Sequence, residues 1–371
     1  MAGGSGGASS TGGAQSSAGN GGRAGSAGSA NAGTGGANAG TGGGAPNGGM
    51  AGATGGSGGG ASCAFPTSFK WSSTGPLADP MSPPGHTFVS LKDFTVTKSN
   101  NEFVVYASVY DTSGAGSYSG VNFNFSDWSQ AATATQTYMG NEKTGATVAP
   151  TLFYFTPKKT WVLTYQWGFK YATGSDPTNP SSWSSPTNLL TGGPSAAIDQ
   201  TVICDATDCY LFFAGDNGNI YRSSLPIGNF PGTFNGYQTI LTDTTANLFE
   251  AVEVYTVKGT GKYLMIVEAE GSGGRYFRAF SATSLGGTFT AVQGASTEAT
   301  PFAGKNNVTF TASAWTSDIS HGDLVRTDPA ETQTVDPCNL QFLYQGYDKT
   351  KAAGASYNAL PYRPGLLTKT N

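Results

Sequence analysis

The chain has 371 residues, a net charge of −4 at pH 7, and charged side chains at only 11% of positions. It carries no basic stripe, which argues against a nucleic-acid partner. No run of 18 apolar residues occurs, which excludes a transmembrane helix.

Residues 1–62 hold 26 of the 55 glycines, are otherwise mostly Ala, Ser, Thr and Asn, and include one charged side chain, Arg23. Such a segment buries too little to offset the entropy of ordering, so a disordered Gly/Ser/Ala-rich linker is predicted there. The N-terminus lacks the charged and apolar regions of a signal peptide. A low-charge, Thr/Ser/Tyr-rich domain on such a tether is nonetheless what an exported protein looks like. The expected location is extracellular, with an export signal trimmed or lying upstream. From Cys63 aromatic residues become frequent, and residues 63–371 suffice for one large all-β domain with a full core.

Along that domain, alternating and aromatic-rich strands are predicted at Glu102–Tyr110, Val121–Phe125, Pro150–Phe155, Thr160–Trp167, Tyr210–Ala214, Asn219–Ser223, Lys262–Glu270 and Tyr276–Ala282. Gly, Asn, Asp and Pro clusters separate them, and no stretch longer than about ten residues has apolar residues at helical spacing. Five short segments recur, beginning at Asp93, Pro150, Asp199, Glu250 and His321, with steps of 57, 49, 51 and 71 residues. Most of the stretches they open close on an aromatic: Trp128, Trp183, Phe234 or Phe289. A period near fifty residues built from short strands predicts propeller blades, here a five-bladed β-propeller, in preference to a β-sandwich. The residues after Cys338 are expected to close the ring.

Four cysteines allow three pairings. Cys204 and Cys209 flank a short hairpin turn and suit a disulfide, which leaves Cys63 and Cys338 to staple the start of the domain to its end. A zinc site is the competing reading, but the spacing lacks paired C-x-x-C motifs or nearby histidines.

The first strand of each blade lines the propeller axis, so Asp93, Asp199 and Glu250 are expected at one blade-relative position, converging on one mouth. A single Asp at a strand start is usually a turn or capping residue; three acids around one rim suit glycoside hydrolysis. That chemistry needs one carboxylic acid for the leaving oxygen and one carboxylate for water or the sugar. A third acid can raise the proton donor's pKa. His321 shares the axial position, as a core histidine, general acid or metal ligand. Trp167, Tyr357 and Tyr362 offer faces for sugar stacking, and Lys92, Gln166 and Asn358 offer hydroxyl partners. Arg275 and Arg278 follow the strand holding Glu268 and Glu270, and these four read as ion pairs at the blade surface. Arg278 is also a candidate substrate contact.

At these residues the chain resembles glycoside hydrolase family 62, α-L-arabinofuranosidases that remove arabinose side chains from arabinoxylan. The resemblance spans Phe65 to Thr368. Its motifs include Leu91-Lys92-Asp93-Phe94-Thr95, Tyr165-Gln166-Trp167-Gly168, Ile198-Asp199-Gln200-Thr201, Asn247-Leu248-Phe249-Glu250 and Asp318-Ile319-Ser320-His321-Gly322. The resemblance implies a five-bladed propeller and an inverting mechanism, with Asp93 as general base, Glu250 as general acid and Asp199 tuning and orienting the acid. It places Lys92, Trp167 and Tyr357 around an arabinose pocket with Asn358 nearby, and His321 near an axial structural calcium. No cofactor is implied for the chemistry.

Two departures from the family pattern bear on the cleft. The stretch Phe169-Lys170-Tyr171-Ala172-Thr173 is shorter than in many relatives, and Tyr362 stands where Trp is common. The expected protein is a monomeric exo-acting enzyme on arabinoxylan and its oligosaccharides. The alternatives are a related glycosidase of arabinan or xylo-oligosaccharides, and a non-catalytic carbohydrate-binding propeller. Retention of all three acids speaks against the last, since binding alone needs no tuned acid pair.

Overall fold

A computed structural model describes residues 63–371; the expected linker at 1–62 lies outside the described residues. Five sheets, antiparallel apart from one added parallel strand in each of two, form the blades of a β-propeller. Blade I holds Phe88–Ser99, Glu102–Asp111, Ser117–Phe125 and Thr137–Tyr138. Blade II holds Val148–Phe155, Thr160–Gln166, Lys170–Gly174 and Thr187–Asn188. Blade III holds Ile198–Cys204, Asp208–Ala214, Asn219–Pro226 and Gln238–Thr242. Blade IV runs from Glu253–Val257 through Lys262–Gly271 and Gly274–Ala282 to Thr290–Ala291, with Thr334–Val335 added beside its first strand. Local chemistry sets the hairpins: Asn100 and Asn101, both at positive φ, make the two-residue turn of blade I, a conformation Asn tolerates better than most residues.

Blade V differs in one respect. Ser320–Leu324, Gln341–Gly346 and Arg363–Lys369 come from the C-terminal end, but the next strand is Trp71–Ser73 from the start of the domain. It pairs antiparallel with Arg363–Lys369 and parallel with Val308–Phe310. Ring closure is therefore a β-ladder shared by both ends of the domain, where the sequence suggested a closing segment from the C-terminal side alone. Cys63 is bonded to Cys338 across the same seam, and Cys204 to Cys209, facing residues of a blade III hairpin.

The apolar side chains form five clusters, one at each blade–blade interface. Because strand side chains alternate, neighbouring residues serve opposite interfaces. Leu152 packs toward blade I and Phe153 toward blade III; Val202 faces blade II and Ile203 blade IV. Inner strands buried on both faces explain why these segments read as near-continuous apolar runs. At the axis the filling is polar: Asp323 accepts hydrogen bonds from Thr95 Oγ1 (3.0 Å), Val96 N (2.9 Å), Tyr255 OH (2.8 Å) and Arg326 Nη2 (3.0 Å), tying blades I, IV and V together. A buried charge needs that many partners.

Candidate active site

The inner strands enter the axis irregularly. In blades I, II and III the ladder slips at Lys92/Thr95, Val148/Thr151 and Ile198/Thr201, and the bulged residues Asp93, Ala149 and Asp199 have φ of 50°, 43° and 51°. Blade V slips at Ser320/Gly322, around His321. In blade IV the matching left-handed residue is Ala251, φ 53°. A bulge turns the backbone and re-aims its side chain, and Asp accepts positive φ more readily than most residues.

This geometry corrects the repeat register. Asp93 and Asp199 share the bulge position, but Glu250 stands one residue ahead of its bulge, and Pro150 one residue behind that of blade II. Aligning carboxylates along the sequence slides over this one-residue step. Glu250 instead lies beside Glu268 through two main-chain bonds, Phe249 N to Glu268 O (2.9 Å) and Glu268 N to Glu250 O (3.0 Å).

Each bulge N–H is held by an acceptor from the preceding blade. Asp93 N donates to Gln345 Oε1 (2.6 Å), Ala149 N to Ser108 Oγ (2.8 Å), Asp199 N to Gln166 Oε1 (2.7 Å) and His321 N to Glu268 Oε2 (2.7 Å). In blade III the equivalent second-strand residue is Ala214, which offers no acceptor. Ala251 N turns instead to Asp199 Oδ2 at 2.9 Å. Asp199 is thereby fixed at both its backbone and its carboxylate.

These acids meet around His321. Its Nδ1 lies 3.5 Å from both Asp93 Oδ1 and Asp199 Oδ2. Burial pushes the Asp199 carboxyl up; the His321 ring opposes this and the Asp93 charge adds to it, leaving Asp199 at about 6. Burial, then the charges of Glu268 and Asp199, drive Glu250 well above the usual glutamate range against the pull of Arg275. Lys92 is buried, which alone would lower it. The Asp93 charge and the Tyr118 hydroxyl outweigh that, so its ammonium is held above its ordinary value.

The remaining expected residues divide. Lys92 Nζ donates to Tyr118 OH (3.0 Å), and Tyr118 OH to Asn358 Oδ1 (3.0 Å), so a tyrosine without any sequence signal links two expected ones. Trp167 is 55% exposed, with its ring centroid 5.2 Å from that of Tyr118; Tyr357 is 53% exposed and its hydroxyl accepts from Arg275 Nη2 at 3.0 Å. Gln166 is buried, its carbonyl oxygen taken by Asp199. Tyr362 is only 4% exposed and packs on Tyr347, so it offers no open face for stacking.

Nor are the arginines a surface set. Arg275 Nη1 donates to Glu250 Oε1 and to the fully buried Glu268 Oε1, both at 2.7 Å. Arg278 turns elsewhere, to Asp243 Oδ2 (3.0 Å), Asn247 O (2.7 Å) and Ser296 O (2.9 Å), and its guanidinium makes no bond to the acid group. Sequence reading missed Glu268, Arg275 and Gln345 as site residues because, although Arg275 and Glu268 are 7 positions apart, what ties them to the acids, Glu250 to Arg275 and Asp93 to Gln345, spans 25 and 252 positions.

Calcium asks for six to eight oxygen ligands. His321 supplies a nitrogen, and among the described residues no group of three or more His, Cys, Asp or Glu is arranged to hold a metal. The protein side chains at the axis do not by themselves fit a calcium cage.

The sequence profile of the family described as Glycosyl hydrolase family 62 matches residues 70–368. Alpha-L-arabinofuranosidase C of Cellvibrio japonicus (strain Ueda107) is 44% identical over 310 residues, 82% of this chain and 48% of that protein. The chain thus spans about half the length of this curated relative. The catalytic domain of the Coprinopsis cinerea GH62 alpha-L-arabinofuranosidase superposes with a TM-score of 0.78 at 41% identity, over 83% of this chain and 99% of that one. A GH62 hydrolase solved in complex with xylotriose gives a TM-score of 0.76 at 37% identity, over 81% and 98%.

Proposed function

The chain belongs to glycosyl hydrolase family 62, and from that premise we propose that it is an inverting, exo-acting α-L-arabinofuranosidase that strips arabinofuranosyl side chains from arabinoxylan. The observation that carries this reading is the asymmetry of two carboxyls at one axial mouth. Glu250 is driven toward its protonated form by burial and by Glu268 and Asp199. Asp93 lies beside the Lys92 ammonium and the His321 ring. Glu250 thus suits the proton donor, and Asp93, in the same charge cluster, is left for the water.

In the proposed reaction Glu250 gives its proton to the glycosidic oxygen as that bond breaks, and the xylose hydroxyl leaves. Asp93 takes a proton from a water that attacks the anomeric carbon from the opposite face, so the configuration inverts. Asp199 keeps Glu250 protonated and anchors the Ala251 amide that follows it. The arabinose ring is read as held by Lys92, Tyr118, Asn358 and Tyr357, with Trp167 and Tyr357 stacking on sugar. The side chains carry every step, with no metal or cofactor. Residues 63–371 are taken as the catalytic domain, 1–62 as a linker, and the protein as an extracellular monomer. The xylotriose complex of the relative supports a xylan main chain as the surface on which the side chain is presented.

The test is product analysis. Incubation with wheat arabinoxylan, sugar-beet arabinan and linear xylan is expected to release arabinose from the first, with the first-formed anomer inverted by NMR. Arabinose from arabinan alone favours the arabinan reading, and no product from any substrate favours a binding propeller.

A further inference from the structure

In four blades the residue beside the start of the inner strand caps a bulge N–H of the following blade. Three of those residues are neutral: Ser108, Gln166 and Gln345. The fourth, in blade IV, is Glu268, and it is fully buried. A glutamine would serve the cap as well, as it does in blades II and V. The negative charge of Glu268 is therefore surplus to the backbone it supports. Burying an ionised carboxylate is unfavourable unless charge and hydrogen bonds compensate it.

What compensates it is the guanidinium of Arg275, which Glu268 shares with Glu250 at 2.7 Å to each carboxylate. Ser320 Oγ lies 3.0 Å from both Glu268 oxygens and accepts from Gln345 Nε2 at 3.1 Å, and Gln345 Oε1 in turn holds the Asp93 amide at 2.6 Å. A continuous run of hydrogen bonds thus joins Asp93 to Glu250 through Gln345, Ser320, Glu268 and Arg275.

We propose that Glu268 is a positioning residue for the hydrolysis: by sharing Arg275 with Glu250 it fixes where the acid sits and keeps its proton available to the leaving oxygen. This rests on the reading of Glu250 as the acid. Without Glu268, Arg275 would turn to Glu250, with Glu270 Oε1 farther off at 3.8 Å, and favour the ionised form of Glu250. The other charged or titratable groups facing Glu250 are Asp199, Asp93, Lys92 and the Tyr118 and Tyr357 hydroxyls; those facing Glu268 are Arg275, His321, Asp199 and the Tyr357 and Tyr362 hydroxyls. None of these replaces the Glu268 charge when it is removed. Among the charges that raise Glu250, that of Glu268 ranks ahead of Asp199.

The test is Glu268→Gln in the full chain, which keeps the acceptor for His321 N. The kcat/KM profile on arabinoxylan is expected to lose its alkaline side, falling roughly tenfold there, while KM and the acid side change less than about threefold. Independently of any substrate, the infrared carbonyl band that Glu250→Gln abolishes should titrate at lower pH in Glu268→Gln than in the parent. Superimposable profiles and titrations would reduce Glu268 to a backbone cap and overturn the proposal. If the parent releases no arabinose, the functional reading fails, whereas the infrared titration still decides the pairing. Should Glu268→Gln not fold, Arg275→Lys takes its place: a single ammonium does not hold both carboxylates in one planar fork, so the Glu250 band is expected to titrate at a different pH from the parent, and an unmoved titration overturns the proposal.

Discussion

Replacing Cys63 with Ser tests how the ring is closed. The Cys63–Cys338 bond closes a loop of 275 residues, for which the chain-entropy relation gives about 5.6 kcal/mol at 25 °C. Cys204–Cys209 closes only 5, which gives about 2 kcal/mol. For a domain of the size of residues 63–371 the unfolding entropy is about 0.65 kcal/mol per kelvin. The seam bond should therefore raise the melting temperature by about 9 °C and the hairpin bond by about 3 °C. These are upper figures, because residual structure in the unfolded chain already restricts it. Cys63→Ser should still fold, since Trp71–Ser73 stays in the blade V ladder and Lys70 O still accepts from Thr370 N at 2.9 Å. Calorimetry of both cysteine variants at one scan rate reads the two shifts. Arabinose release at 25 °C should be unchanged in Cys63→Ser, because the acids are held by inner strands rather than by the seam. A melting shift for Cys63→Ser no larger than that for Cys204→Ser would refute the loop-closure reasoning.

Glu250→Gln and Asp93→Asn should each lower kcat by about 10²–10⁴ or more with little change in stability, as each removes a proton-transfer role in the proposed reaction; steady-state kinetics on arabinoxylan and a melting curve check both halves. Asp199→Asn should also be severe and should move the alkaline limb of the pH–rate profile downward, since Glu250 loses a charge that keeps it protonated; an unmoved limb would remove Asp199 from that role. At the end of the second strand of blade I, burial works against the charged form of Asp111, but the Thr87 and Ser113 amides and the His86 ring outweigh it and hold the carboxyl below its ordinary range. A depressed carboxylate stabilises above its unfolded pKa, about 3.9, and that stability is lost as pH falls. Asp111→Asn should accordingly lower the melting temperature at pH 6 and differ less from the parent at pH 3.

The parts of this molecule legible in its sequence are those set by local rules. Aromatic-rich and apolar runs bounded by turn residues located the strands; the inner ones show little alternation because both of their faces are buried between blades. The turn residues located the hairpins, and the short Cys204–Cys209 spacing fits their facing positions in the ladder. What local rules do not carry is register at the axis. Whether a carboxylate sits in the bulge or one residue ahead of it depends on which backbone N–H the preceding blade can cap, and that acceptor is 33 to 252 residues away. The N-terminal strand was equally hidden, since three residues, Trp71–Ser73, show no periodicity. Tyr362 reads as a surface aromatic, yet it is buried against Tyr347 beneath the pocket wall.

The same axis carries a tension between stability and chemistry, and Asp199 makes it measurable. Its carboxyl is raised by burial to about 6, above the roughly 3.9 of an unfolded aspartate. Between those values the folded protein binds more protons than the unfolded chain, so stability falls as pH rises through that window. An amide in its place carries no such penalty and can still accept from the Ala251 N–H. Asp199→Asn should therefore be about as stable as the parent near pH 4 and gain on it up to pH 6, with the gain constant above. Melting curves across pH 4–8 read this directly; an advantage that ignores pH would show that the titration of Asp199 plays no part in it, and a loss at every pH that Asp199 is needed for the fold itself. The inner-strand bulge places an acid where its charge costs the fold stability, which suits the role proposed for it in tuning Glu250. Asp323 on the same axis is answered by four donors, whereas among the described residues the Asp199 carboxylate accepts one hydrogen bond, from Ala251 N, with the His321 ring at 3.5 Å.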